Sequence, residues 1–417
     1  MKHLILGNGP AGVVAAETLR KIAPVDEITL LGDEPGPPYS RMAIPYLLMG
    51  QIEEKGTWLR KDAGHFEGLR IALKAGRTAA VDAAKREVRL ESGETLAWDR
   101  LLVATGSRPN RPPIPGLDLP GVHPCWTLED ARAIAARVGK GSRVVQMGAG
   151  FIGCIILEAL AVRGVELVVV EMGDRMVPRM MPPRAGALIR AWCERKGVRV
   201  LTGARVSRIE ASGAALAVTL ADGQGLPADL VISATGVSPN TGFLDGSGVA
   251  CDQGVLVDER MQSSVKGIFA AGDVARAPEF DTDHKIAYAI QPTAVEQARV
   301  AAYNMAGRES ASPGALAMNV LDTLGLVSAS FGQWQGLPDD QTAARVERHD
   351  DERFRYLRLE FSGERLIGAT CLGMTEHVGA IRGLIQGRVP LGEWKDRLLA
   401  DPTRLMEAYL ARAQAAS

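Results

Sequence analysis

Organised cysteine is what this sequence most plainly lacks. Its five cysteines, Cys125, Cys154, Cys193, Cys251 and Cys371, lie far apart, with no CxxC or CxxxxC pair among them. That spacing excludes a local dithiol centre and the usual zinc and iron–sulfur ligand sets, so no metal site is expected. Isolated thiols of this kind read as small core residues. A bias of charge is missing too. The formal net charge is −1, which leaves no electrostatic footprint for nucleic acid or an anionic membrane. No apolar run approaches the ~20 residues of a membrane-spanning helix. The chain runs straight into an apolar strand, so no leader peptide is expected. Together these absences predict a cytoplasmic chain with no membrane insertion and no nucleic-acid partner. At 417 residues it is long enough for two or three domains, each with its own core.

What is present is a glycine-rich turn, used twice. KHLILGNGPAGVVAAETLRK (Lys2 to Lys21) reads as a short apolar strand breaking into a turn that opens a helix. Gly7 permits the tight turn, Gly9 lets backbone approach a pyrophosphate, and Gly12 lets the helix pack on the strand. Pro10 and Ala11 open that helix, whose free N–H groups and positive dipole end face the phosphates. Glycines in any strand-to-helix turn can mimic one such motif. RVVQMGAGFIGCIILEALAVRGVELVVVE (Arg143 to Glu171), however, repeats it with Gly148, Gly150, Phe151, Ile152 and Gly153. Glu171, at the end of its second strand, suits the two hydroxyls of an adenosine ribose and repels a 2′-phosphate, which favours NAD over NADP. In the first unit the matching position is Gly32, followed by Asp33 and Glu34; Asp33 is the expected ribose contact. Two dinucleotide sites imply two dinucleotides, one held tightly and one exchanged.

The endings of the two units are duplicated as well. LLVATGSRPN puts Ala104, Thr105 and Gly106 after a buried strand, and ADLVISATGVSPN does the same with Gly236. Small residues there allow backbone to lie against a cofactor. Alternation around Val81, Val88 and Leu90 predicts a small meander before the first of these strands. GIFAAGDVARAP places Gly272 and Asp273 after a third apolar strand; the carboxylate suits either a ribityl hydroxyl or a helix N-cap. Arg41, in a Pro- and Gly-rich stretch, suits a phosphate, a ribose or plain solvent. The segment after Ser310 carries no phosphate loop or metal cluster and reads as an interface domain, with dimerisation expected. His377 and Trp334 there suit either packing or a cofactor edge, with packing favoured.

The ordered set GNGPAG, LLVATGSRPN, GAGFIG, Glu171, ATGVSPNTGF and IFAAGDVA resembles the FAD-dependent pyridine nucleotide-disulfide oxidoreductase superfamily, and spans nearly the whole chain. PPYSRMAIPYLLMG and MNVLDTLGL are most similar to NADH oxidases, coenzyme A disulfide reductases, rubredoxin reductases and the flavin-binding part of nitrite reductase large subunits. The resemblance implies an α/β fold of two doubly wound dinucleotide-binding domains, the NAD(H) domain (113–245) inserted in the FAD domain (1–112 and 246–312), with a C-terminal α+β interface domain (313–417). It implies FAD contacts from Gly7, Gly9, Pro10, Ala11, Gly12, Asp33, Arg41, Val81, Ala104, Thr105, Gly106, Gly272 and Asp273. NAD(H) contacts are implied for Gly148, Gly150, Phe151, Ile152, Gly153, Glu171 and Gly236.

The departures from that pattern are equally informative. Where disulfide reductases and NADH oxidases of this type carry a catalytic cysteine, this chain has Met42. Ferredoxin-reductase relatives carry a lysine paired with a glutamate; those positions hold Tyr46 and Ile155. Losing both together leaves no unpaired buried charge. Beside the flavin the resemblance therefore implies Met42, Pro45, Tyr46 and Ile155, an apolar site with no certain catalytic group. The implied activity is hydride transfer from NADH to FAD and onward to an electron-carrier protein or subunit, in a homodimer. Two alternatives are an NADH oxidase or small-disulfide reductase using a distant cysteine such as Cys371, and a redox-sensing interaction protein similar to apoptosis-inducing factor.

Overall fold

The computed structural model describes residues 1–337 and 339–412. They form two compact units, one of Met1–Asn110 with Val237–Ala315, the other of Arg111–Gly236 with the described residues from Leu316 onward.

The first unit is built on a five-stranded parallel sheet. Its order is Ile268–Ala270, Arg100–Val103, Lys2–Leu6, Glu27–Gly32 and Ile71–Ala75. Apart from Ile71–Ala75, which is mostly exposed, the strands are near-continuous apolar runs because both faces are covered. On one side lie the helices Pro10–Ile22 and Gln291–Met305, which pack directly on each other. Their buried faces are small: Ala11, Gly12, Ala15 and Ala16 on one, Ala294, Ala298, Ala301 and Ala302 on the other. Thr78–Asp82, Glu87–Leu90 and Thr95–Ala97 form the expected antiparallel meander.

The second unit repeats the recipe. Its parallel sheet runs Arg199–Thr202, Glu166–Glu171, Arg143–Met147, Leu230–Ser233 and Val122–His123, with its own three-stranded meander from Val206 to Ala228. A five-stranded antiparallel sheet, Met318–Thr323 to Arg365–Leu372, joins the same unit with three helices after it. The strand Met318–Thr323 packs on the helix Phe151–Val162. Trp192 Nε1 donates to the Leu324 carbonyl at 3.1 Å.

The units divide the chain differently from the sequence expectation, most of all at residues 237–245 and in the C-terminal sheet, each for a local reason. Residues Val237–Asp245 belong to the first unit, because Val237–Pro239 pairs antiparallel with Ser107–Pro109. Asn240 locks that ribbon: its side chain donates to the Thr105 carbonyl, and its own carbonyl accepts from Thr105 Oγ1, both at 2.9 Å. The C-terminal sheet groups with the second unit through its packing on the Phe151–Val162 helix, where the sequence suggested a separate domain.

Candidate functional site

The two glycine turns have nearly the same geometry. Gly7 and Gly148 sit at φ +107° and +99°, the left-handed side of backbone space that only glycine adopts freely. A Cβ on Gly7 would lie 2.1 Å from the Ala104 carbonyl oxygen, and one on Gly148 would lie 2.4 Å from that of Ala234. The duplicated ATG segments thus have a physical role: their backbone lies flush on the first glycine of each turn. Gly12 and Gly153 face inward, where an added Cβ would meet the carbonyl oxygens of Gly7 at 1.8 Å and Gly148 at 2.5 Å. Gly9 and Gly150 are different. Both are extended, at φ −73° and −74°, and a Cβ on either meets no protein atom within 4 Å. Neither backbone strain nor a protein neighbour requires glycine there, and the absent side chain leaves the space above the turn open to a ligand. Neither helix has a side-chain cap, so the first N–H groups of Pro10–Ile22 and Phe151–Val162 are available to an anion. These features fit a pyrophosphate at each turn.

The ends of the second strands divide the two cradles. Glu171 is held in place by backbone, its Oε2 accepting from Ala149 N and its Oε1 from Gly173 N, both at 2.7 Å. Each oxygen keeps a further lone pair for a ribose hydroxyl. In the first cradle Gly32 replaces the acid because Asn8 occupies its space: a Cβ on Gly32 would lie 2.2 Å from the Asn8 amide.

Asp33 is exposed and lies 4.0 Å from Arg77. Glu34, its neighbour, turns inward instead, pairing with Arg41 at 2.5 Å and accepting from Tyr39. Burial and then the Glu34 carboxylate push the Tyr39 hydroxyl up to about 12. Burial opposes the charge on Arg41, yet Glu34 and Tyr39 outweigh it and raise its pKa. Arg41 also donates to the Ser107 carbonyl at 3.5 Å, and so is not a free surface arginine. Sequence reading missed Glu34, Tyr39 and Ser107; the only signal was that Glu34 adjoins the expected acid.

Asp273 is drawn into the same region, accepting from Ser107 Oγ at 2.9 Å. Burial raises its pKa above the usual carboxylate range, with Ser107 and Arg41 opposing. It is not a helix N-cap: the strands Ala275–Pro278 and Lys285–Ile286 follow it, and the next helix begins only at Gln291. Gly272, at φ +80°, donates its N–H to Gln297 Oε1 at 2.9 Å, which ties this turn to the Gln291–Met305 helix. A half-paired, partly buried carboxyl of this kind fits a ribityl hydroxyl. Val81 is buried in the meander.

Met42 and Tyr46 are half exposed, at 49% and 50%, and Pro45 is buried beside them. Ile155 lies on the Phe151–Val162 helix, partly buried. Trp334 is buried, as its reading as a packing residue requires. Cys125, Cys154, Cys193 and Cys371 are buried, and Cys251 is exposed. Burial pushes the Cys125, Cys193 and Cys371 thiols up to about 12, and raises that of Cys154 as well. Such thiols do not supply thiolate at neutral pH. Among the described residues, no group of three or more His, Cys, Asp or Glu is placed to hold a metal, and no helix is long and apolar enough to cross a membrane.

Known proteins are similar to this chain in sequence and fold. The family model for pyridine nucleotide-disulphide oxidoreductases matches residues 1–303. The chain is 32% identical over 406 residues to the NADH-dependent phenylglyoxylate dehydrogenase subunit epsilon of Aromatoleum evansii, covering 96% of this chain and 95% of that protein. It is 38% identical over 276 residues to the biphenyl dioxygenase system ferredoxin–NAD(+) reductase component of Paraburkholderia xenovorans (strain LB400), covering 66% and 67%. Its fold superposes on a chain of the covalent putidaredoxin reductase–putidaredoxin complex with a TM-score of 0.89 at 25% identity, covering 98% of each. With two matched cradles and a family model spanning both, the chain belongs to the pyridine nucleotide-disulphide oxidoreductase family and is an NAD(P)H-dependent flavoprotein using FAD and NAD(H).

Proposed function

We propose that the protein exchanges electrons between NAD(H), preferred over NADP(H), and a one-electron carrier protein or partner subunit, without a thiol relay. The chemistry that a bound FAD supplies is the exchange of a two-electron hydride for single electrons. The chain's own part is placement. Gly7, Gly9, Gly12, Glu34, Arg41 and Asp273 would hold the FAD, and Gly148, Gly150, Gly153 and Glu171 the NAD(H). Met42, Pro45 and Tyr46 would line an apolar surroundings for the reaction, aligning it and lowering the local dielectric.

The observation that carries this reading is the state of the thiols: four are buried, and partial burial and then Asp245 raise the pKa of the exposed one, Cys251. A disulfide reductase or a cysteine-dependent oxidase needs an accessible thiolate, and Met42 stands where such a thiol would be. Cys371, the distant alternative, is fully buried with its thiol up at about 12. The near full-length likeness to a subunit of an NADH-dependent dehydrogenase, and the likeness to a ferredoxin reductase component, support a protein acceptor. Glu171, already oriented by Ala149 and Gly173, supports NADH over NADPH.

The test is a screen of acceptors with the purified FAD-loaded protein under anaerobic NADH. The reading predicts reduction of a dye, a cytochrome or a ferredoxin, and no reduction of small disulfides. Turnover confined to a disulfide, and abolished by thiol alkylation, would refute it.

A further inference from the structure

The duplicated cradles serve as controls for each other, and one buried residue breaks their symmetry. Counting back from the first glycine of each turn, Ile5 and Gln146 occupy the same strand position, and both are 0% exposed. An apolar side chain therefore suffices to build this fold at that place. Gln146 nevertheless buries an amide there, and its Oε1 has no hydrogen-bond partner, which costs stability. Its Nε2 donates to the carbonyls of Gly148 and Gly153, both at 2.9 Å. The reversed amide would set its oxygen against two carbonyl oxygens, so the orientation follows from the partners.

These two bonds join the turn to the helix that follows it. In the first cradle the turn and helix close directly, with the Gly12 Cβ position 1.8 Å from the Gly7 carbonyl oxygen. In the second the corresponding distance opens to 2.5 Å, and the Gln146 amide lies 3.2 Å from the Gly153 Cβ position. Its neighbours complete the hold on the turn. Gly148 N donates to the Val170 carbonyl at 2.8 Å, and Ala149 N donates to Glu171. The Ala149 carbonyl accepts from Val177 N at 2.8 Å. Gln146 thus supplies the side-chain donor to the Gly148 carbonyl.

Building on the proposed function, we propose that Gln146 is a positioning residue that keeps the Gly148–Gly150 turn in its pyrophosphate-accepting shape while no dinucleotide is present. A cofactor that stays bound supports its own cradle. A dinucleotide that comes and goes pays to order its cradle at every binding event unless the cradle is ordered beforehand.

The experiment compares the FAD-loaded wild type with Gln146→Ile, the residue of the first cradle, and Gln146→Met, which keeps length and volume without a donor. Four quantities are read: the NADH concentration giving half the maximal rate of flavin bleaching, turnover at saturating NADH, bound FAD, and melting temperature. The expected result is a half-saturation raised about tenfold, the scale of one lost polar contact, with saturating turnover and bound FAD at wild-type values. Half-saturation at the wild-type value in either folded variant overturns the proposal. So does a drop in melting temperature with NADH affinity unmoved, the signature of a purely structural role. A wild-type protein that NADH does not bleach would instead overturn the functional reading beneath it.

Discussion

Replacing Gly9 or Gly150 by alanine separates folding from cofactor binding, because the two glycines owe their presence to different causes from their neighbours. Both lie at φ near −73°, and an added Cβ meets no protein atom within 4 Å. Alanine restricts the unfolded chain, a gain of about 0.4–1 kcal/mol, and is a poorer N-cap by about 0.5–1 kcal/mol. The two nearly cancel, so each variant should melt within a few degrees of wild type. What the methyl does occupy is the space over the helix N-terminus that a pyrophosphate needs. The assay is absorbance of the purified protein for bound flavin, followed by the rate of anaerobic flavin bleaching over a series of NADH concentrations. Gly9→Ala should lose FAD at least tenfold, or about 1.4 kcal/mol of binding. Gly150→Ala should keep its FAD and show a half-saturation for NADH raised by a similar factor. If Gly9→Ala retains full flavin, or Gly150→Ala titrates like wild type, the assignment of the two cradles is wrong.

Other expectations follow from the same geometry. Gly12→Ala would drive a Cβ to 1.8 Å from the Gly7 carbonyl oxygen. It should destabilise by roughly 1–3 kcal/mol or more, read as a lower melting temperature. Glu171→Ala removes the acceptor of two backbone N–H groups and the repulsion of a 2′-phosphate. It should raise the NADH KM and narrow the ratio of NADH to NADPH efficiency. Asp273 has a raised pKa in the folded protein through burial. Its contribution to FAD-free stability is therefore fully present below the ordinary Asp pKa of about 3.9 and lost as pH rises through the raised value. Asp273→Asn should flatten that part of the stability profile and weaken FAD retention. Cys371→Ala should leave NADH-dependent dye reduction intact, since that thiol is buried and protonated.

The legible part of the molecule was the part whose causes are local. GxGxxG and ATG segments carry their geometry in consecutive residues, although the contact of the Ala104 and Ala234 carbonyls with Gly7 and Gly148 appears only in the structure. Less legible were features decided by distant chain. Asp33 and Glu34 are adjacent acids, and only the return of the loop to Tyr39 and Arg41 pairs Glu34 and leaves Asp33 exposed. The reading of Asp273 as a possible cap failed because a strand pair, not a helix, follows its turn. Gln146 gave no signal, since a single amide inside an apolar strand does not alter its pattern. The grouping of the C-terminal sheet with the second unit depends on packing between the Phe151–Val162 helix and the Met318–Thr323 strand, which no local motif encodes.

The central claim, that electrons pass between two nucleotides with no sulfur relay, is tested most directly by counting reducing equivalents. Anaerobic titration of the FAD-loaded protein with NADH should reach full flavin bleaching at about one NADH per FAD, because the flavin is the sole two-electron store. A requirement for about two NADH per FAD, with a new pair of titratable thiols appearing on reduction, would show a redox-active disulfide and contradict the account.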